Sequence, residues 1–206
     1  GYNLFVYYER RDRIFGGDNS RIFSYDPDGS STWDDEGVTL SFTNMANGVV
    51  HSKDNILYIG YDQNIAINNN NVWDTTGLSA PLPTHLFVSS ICEYGNYLAI
   101  GCSPLSEVGT GVVYLWDRDS SVVTFSESYN WGDGRLQVLE TVDGVLIGIS
   151  SERTSVTSIT NDRITFRALS GGRAVKLMTI VSEGTITTPV LQRKWMYKGR
   201  LHFLMD

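Results

Sequence analysis

The stretch Asn96-Tyr-Leu-Ala-Ile-Gly101 combines a turn residue, alternating apolar positions and a glycine at the fifth place after the turn residue. This order is typical of the turn and second strand of a β-hairpin. Three other segments repeat it, and a fourth does so without the final glycine: Asp12–Gly17, Asn55–Gly60, Asp143–Gly148 and Lys198–Phe203. The pattern predicts one structural unit that recurs along the whole chain.

The spacing of these segments indicates the size of the unit. The five turn residues, at 12, 55, 96, 143 and 198, are separated by 43, 41, 47 and 55 residues. Such spacing is typical of a four-stranded blade of a β-propeller. We predict an all-β propeller with about four four-stranded blades and part of a fifth, within a fragment of a larger chain. The single domain covers 1–206, with blades at 1–45, 46–80, 81–130, 131–170 and, in part, 171–206.

Four β-like runs are predicted in each blade, two of them joined by the hairpin turn. The third runs are Arg21–Asp26, Asn64–Asn68, Val112–Asp117 and Ser155–Asn161. The fourth runs are Val38–Phe42, Asn71–Trp73, Val122–Phe125 and Arg163–Phe166. We expect the recurring glycine to serve close backbone approach, because the inner strands of a propeller converge on a crowded axis.

Two segments of the first blade resemble structural proteins of tailed bacteriophages. They are Asp18-Asn19-Ser-Arg-Ile-Phe-Ser-Tyr-Asp26 and Trp33-Asp34-Asp35-Glu36-Gly37-Val38. The resemblance extends to tail nozzle proteins that carry a propeller. It implies a virion component of the tail, assembled in the host cytoplasm. Such a protein would act through contacts with other virion subunits or with copies of itself.

Charge is unevenly distributed along the chain. Residues 1–161 carry 8 basic and 20 acidic side chains, whereas residues 162–206 carry 8 basic and 3 acidic ones. Two explanations are open. Either the asymmetry is a fortuitous feature of a solvated surface, or the basic residues form an edge that docks on a neighbouring copy or subunit. The formal net charge of −7 disfavours sequence-specific nucleic-acid binding. We also predict no membrane insertion, because no apolar run is long enough for a membrane helix.

The histidines suggest no catalytic centre. His51 precedes a turn, His85 lies in a loop and His202 lies in the last strand, so we expect them at surface or edge positions on different blades. We therefore predict a protein that is not an enzyme, with no catalytic residue, no cofactor and no metal ligand. For Asp26-Pro-Asp28-Gly29, the residue order favours a turn over a calcium loop.

The two cysteines are predicted to be free thiols. If the chain turns at Gly95-Asn96, Cys92 lies opposite Ala99, and Cys102 lies further along on the other face of the ribbon. The two Cα atoms are then too far apart for a disulfide.

A glycan-binding or sialidase-like glycosidase propeller is the alternative function, with surface glycans as partners. Ser24–Trp33 resembles the Asp-box of sialidase-type propellers, with one extra residue between Asp26 and Gly29. That box is a structural turn away from the active site. Aromatic rings could also stack on sugars, but we expect three tryptophans near strand ends to pack between blades: Trp73, Trp116 and Trp131.

The last unit is predicted to stop after its second strand, Leu201–Met205, whereas the first blade is complete from Leu4 to Phe42. We expect the open sheet edge to be covered by further residues or another subunit, because unpaired edges invite aggregation. The basic segment 162–206 is the candidate for that contact.

Overall fold

The computed structural model describes residues 4–17, 21–29, 31–40, 45–106, 108–120, 122, 127–152, 163–181, 193–197 and 200–204. Within these ranges the chain forms four four-stranded antiparallel sheets and a two-stranded one. In each sheet, consecutive strands along the chain are neighbours. The predicted all-β fold of four-stranded units is therefore confirmed.

The strands follow one another through short connections. The first sheet contains β1 (Leu4–Tyr8), β2 (Arg13–Gly17), β3 (Arg21–Tyr25) and β4 (Asp34–Thr39). The second contains β5 (Met45–His51), β6 (Ile56–Tyr61), β7 (Asn64–Asn69) and β8 (Val72–Asp74). The third contains β9 (Leu86–Tyr94), β10 (Tyr97–Pro104), β11 (Thr110–Trp116) and β12 (Ser128–Asp133).

The fourth sheet contains β13 (Arg135–Val142), β14 (Val145–Glu152), β15 (Arg163–Ser170) and β16 (Arg173–Val181). The two-stranded sheet pairs β17 (Arg193–Tyr197) with β18 (Arg200–Leu204). A single turn of 3₁₀ helix, Glu9–Arg11, lies between β1 and β2.

The predicted hairpin turns are confirmed at the start of every four-stranded sheet. Asp12, Asn55 and Asp143 have φ angles of 47°, 51° and 50°, and Gly95 has 58°. Asn and Asp are the residues other than glycine that most readily adopt this left-handed conformation. The turn residues of the repeat therefore have a direct conformational role.

Two outer strands differ from the prediction. The third sheet ends with β12, and of the predicted run Val122–Phe125 only Val122 is described, in a bend. In the fourth sheet Arg163–Ser170 is the third strand, and Arg173–Val181 is added outside it. The cause is the Gly171-Gly172 turn, where both residues have positive φ and close a two-residue hairpin. The predicted strand Ser155–Asn161 lies outside the described residues.

Successive sheets pack face to face, with their innermost strands side by side. β1 packs against β5, β5 against β9, and β9 against β13. Three buried apolar clusters correspond to these junctions, the first around Phe15 and Ile59, the second around Val88 and the third around Trp131. This arrangement is that of adjacent propeller blades.

The recurring glycine makes room for side chains of the adjacent sheet, not for the predicted backbone approach. A Cβ at Gly101 would lie 2.5 Å from the Cδ atoms of Leu136 and Leu139 on the innermost strand of the fourth sheet. Gly148, on the fourth sheet, instead faces the third sheet. A Cβ there would lie 2.5 Å from Nε1 of Trp131 on β12. Asp143 is the first of two turn residues, whereas Asn96 is the second, and a one-residue slip moves a side chain to the other face.

Candidate interaction surface

The first sheet buries one face and exposes the other. Leu4, Phe15 and Ile22 belong to the apolar cluster shared with the second sheet. Because side chains alternate along a strand, the residues between them point away from that core. Phe5 pairs with Gly16, which pairs with Phe23, so these three residues form a row across the outer face.

This outer face is unusually rich in exposed rings. We call it the aromatic face and define it as Phe5, Tyr7, Phe23, Tyr25 and Trp33. Phe5 is 75% exposed, Tyr7 50% and Trp33 47%. An exposed cluster of large apolar side chains is uncommon on a monomeric protein and is typical of a contact site.

Trp33 holds its position through local contacts. Its ring covers Gly16, where a Cβ would lie 3.1 Å from the indole, and packs against Tyr25 at a centroid distance of 5.6 Å. The chain reaches Trp33 through the predicted turn, in which the Asp28 amide donates to Oδ1 of Asp26 at 3.0 Å. A cleft of about 430 Å³ is lined by Leu4, Phe5, Gly16, Phe23 and Trp33.

One ion pair lies on the outer side of the first sheet with the aromatic face. Arg21 lies 3.5 Å from Asp35, and Asp35 pairs with Phe23 in the register of β3 and β4. The Tyr7 hydroxyl donates to Oδ1 of Asp12, and this hydrogen bond, together with burial and nearby carboxylates, raises the pKa of Tyr7. The charge next to Tyr7 is therefore acidic, and the exposed rings supply the apolar contact area of this face.

The fourth sheet also carries apolar, mostly aliphatic side chains on its outer face, and this face is only partly exposed. Val138 pairs with Ile149, which pairs with Phe166, so these residues form a row on the side away from the third sheet. Val138 is 40% exposed and Ile164 is 41% exposed, while Phe166 is almost covered. Both ends of the row of four sheets thus present apolar faces, aromatic at the first sheet and aliphatic at the fourth.

The structure does not assemble a histidine centre in its described part. The predicted surface or edge position is wrong for His51, which is fully buried between the second and third sheets. Its Nε2 lies 3.2 Å from the Tyr97 carbonyl oxygen, and its Nδ1 accepts from the Lys53 amide at 3.2 Å, so the ring bridges two hairpin turns. His85 is exposed in a loop as predicted, and His202 lies in β18.

The cysteine register is confirmed, since Cys92 pairs with Ala99. Both thiols are free and buried. Burial raises the pKa of Cys92 to about 12 and that of Cys102 still further, so neither thiol ionises readily near neutral pH.

The three predicted tryptophans pack between sheets. Trp116 and Trp131 are buried, and Trp73 packs edge-on against Phe15 while its Nε1 donates to Glu36. Among the tryptophans whose burial the structure describes, Trp33 is the exposed one, and the sequence pattern identified it only as the end of a turn. The alternation of residues along the predicted strands indicated which side chains of the first sheet share a face. It did not indicate that the outer face of this sheet would be exposed.

The described ranges contain neither a metal-binding cluster nor a helix able to span a membrane. There, no three His, Cys, Asp or Glu side chains are grouped closely enough to hold a metal ion. No helix in that part of the chain has the length and hydropathy needed to cross a membrane.

No family model matches the chain, and no curated protein matches its sequence. Its fold is similar to solved β-rich structures. One match is described as the extracellular domain of a hybrid two-component system of B. thetaiotaomicron, with a TM-score of 0.60 and 14% identity. It covers 90% of this chain and 23% of the other, so this chain spans less than a quarter of that protein.

A second match is an endo-1,4-beta-xylanase from Bacteroides thetaiotaomicron. Its TM-score is 0.51 at 14% identity, over 84% of this chain and 70% of the enzyme. At this identity the likeness concerns the fold alone. Together with the four meander sheets, it defines the class of this protein as all-β and β-propeller-like.

Proposed function

We propose that this protein is a structural, non-enzymatic module that acts through protein–protein contacts. The observation that carries the proposal is the aromatic face, in which Phe5 is 75% exposed, Tyr7 50% and Trp33 47%. Centres of protein interfaces are enriched in Phe, Tyr and Trp and depleted of charged residues. The aromatic face has this composition.

The finer proposal is a tail component of a tailed-phage virion. Its support is the resemblance of residues 18–26 and 33–38 to phage structural proteins. The second of these segments begins at Trp33, which belongs to the aromatic face. The partners would be other virion subunits or further copies of the chain.

A photo-crosslinking experiment tests the contact role directly. Benzoylphenylalanine would replace Phe5 in one variant and Val72 in a control, because Val72 is 69% exposed but lies on the second sheet. Both variants would be produced in the native host and irradiated in the assembled particle. We expect a discrete adduct with a virion subunit or a second copy from position 5 only. Equal or absent crosslinking from the two positions would contradict the proposal, as would absence of the protein from purified particles.

The second candidate function is a glycan-binding or glycosidase propeller. The observation that favours it is the open cleft beside Phe5 and Trp33, because flat exposed rings can cover sugar faces. A glycan array and a fluorogenic sialidase assay distinguish the two functions. Specific glycan binding that is lost in Trp33→Ala, or measurable turnover, would favour this candidate over the assembly role.

A further inference from the structure

A second cleft lies between the third and fourth sheets, away from the aromatic face. Its volume is about 350 Å³, within the range of small-ligand pockets. Its lining is almost entirely polar and consists of Asp133, Glu152, Arg163, Thr165, Arg167, Lys176 and Thr179.

The cations of this cleft are aligned by the register of the fourth sheet. Arg163 pairs with Glu152 across β14 and β15, and Arg167 pairs with Lys176 across β15 and β16. Between these pairs, Thr165 and Thr179 place their hydroxyl oxygens 3.1 Å apart. The fourth sheet therefore presents three positive side chains and two hydroxyls on one surface.

Arg167 is positioned by a hydrogen bond and by packing, and it has no ion pair with a described carboxylate. Its Nη1 donates to the Ser150 hydroxyl at 2.8 Å, and its guanidinium lies against Gly132, where a Cβ would be 2.5 Å from Nη2. Among the described residues, no carboxylate lies within 4.0 Å of it. Burial lowers the pKa of this half-buried group, and the charges of Asp133 and Glu152 oppose that shift. An anion in the cleft would supply the missing partner.

The carboxylates of the cleft define the rest of the ligand. Asp133 projects from the third sheet, and Glu152, on the fourth sheet, lies 4.0 Å from Arg163. Ionised carboxylates only accept hydrogen bonds, so they favour ligand hydroxyls. We propose that this cleft binds a compact polyhydroxylated ligand with one carboxylate or phosphate group, which pairs with Arg167 and Lys176. The site is independent of the proposed assembly role.

Isothermal titration of the 206-residue chain tests this site with four probes: glucuronate, glucose 6-phosphate, glucose and inorganic phosphate. We expect at least one acidic sugar to bind about tenfold or more tightly than glucose, because a charged hydrogen bond is lost with the neutral sugar. The comparison of the two acids identifies the preferred oxyanion. Inorganic phosphate should bind more weakly, since it lacks a sugar body for Asp133 and Glu152.

Variants of the basic side chains provide the second readout. Arg167→Gln should weaken binding about tenfold, and Arg173→Gln, on the exposed Gly171-Gly172 hairpin, should leave it unchanged. If Arg167→Gln does not fold, the exposed Lys176→Gln replaces it, with an expected loss of about threefold. Absence of binding, equal affinity for glucose and glucuronate, or an equal loss in Arg173→Gln would overturn the proposal.

Discussion

At the scale of single residues, Gly101 controls how closely the third and fourth sheets approach. The space that a Cβ would need is filled by Leu136 and Leu139. The repeat made this glycine visible in the sequence, because the same offset from a turn recurs. Its role could not be read there, since the pattern does not say which neighbour fills the space.

Gly101→Ala should destabilise the protein by about 2 kcal/mol, the usual cost of overpacking a tightly filled core. Gly16→Ala is the matched control, because its Cβ would approach only the half-exposed Trp33 ring, which can move aside. The control should change the unfolding free energy by no more than about 0.5 kcal/mol. Urea unfolding of the two variants measures both values, and equal losses would refute the role given to Gly101.

Glu36 gives stability a specific dependence on pH. Burial alone would raise its pKa, but hydrogen bonds from Arg11, Ser24 and Trp73 outweigh burial and lower it below 4.5. The carboxylate therefore stabilises the fold above that value, and this contribution is lost as the pH falls through the depressed pKa. In Glu36→Gln, the decline in stability below about pH 5 should be shallower than in the unmodified protein.

Urea unfolding at pH 7, 5 and 3.5 checks this expectation. At pH 7 Glu36→Gln should be less stable by about 1–2 kcal/mol, because the largely buried Arg11 loses its charged partner. The exposed Glu140→Gln serves as the control and should follow the unmodified protein at all three values. Parallel pH profiles for all three proteins would show that Glu36 has no such role.

At the scale of elements, one arginine ties together two hairpin turns. Arg118 follows β11 and is 6% exposed; it forms an ion pair with Asp54 in the β5–β6 turn. Its Nη2 also donates to the Asn96 carbonyl oxygen at 2.8 Å. Tyr58 donates to the same Asp54 carboxylate at 3.0 Å. The second and third sheets are therefore joined at their turns as well as through their cores.

Arg118→Met should destabilise the protein by about 1–3 kcal/mol, because Asp54 loses its ion-pair partner and the Asn96 carbonyl loses a donor. Adding Asp54→Asn should cost less than the sum of the two single changes, which a double-mutant cycle measures. Arg21→Gln is the control, since its ion pair with Asp35 is exposed and worth little. Strict additivity of the two changes would contradict the link.

The elements also show what the sequence could and could not predict. The hairpin turns were predictable because Asp12, Asn55 and Asp143 need a conformation that few residue types adopt readily. The outer strands were harder to predict. In the third sheet, the connection between β11 and β12 is longer than the hairpin turns that join the inner strands. For the fourth sheet, the informative signal was the Gly171-Gly172 pair.

At the scale of the whole molecule, the four sheets form a row with two different apolar ends. The aromatic face lies on the outer side of the first sheet, and mostly aliphatic side chains, among them Val138 and Ile164, lie on the outer side of the fourth. The clustering of basic residues near the end of the sequence is partly explained inside the molecule, because Arg163, Arg167 and Lys176 line the cleft opposite Asp133. Neither arrangement follows from composition, since both depend on how the sheets are stacked.

Sedimentation velocity of the 206-residue chain tests most directly whether the aromatic face is a contact surface. We expect concentration-dependent association between about 1 and 100 μM, because an uncovered apolar face favours association. Phe5→Ser should shift the chain toward the monomer, while Val72→Ser, on the second sheet, should not. Thermal unfolding of each variant shows that the fold is retained. A chain that is monomeric throughout this range, with sedimentation unaffected by Phe5→Ser, would contradict self-association through the aromatic face.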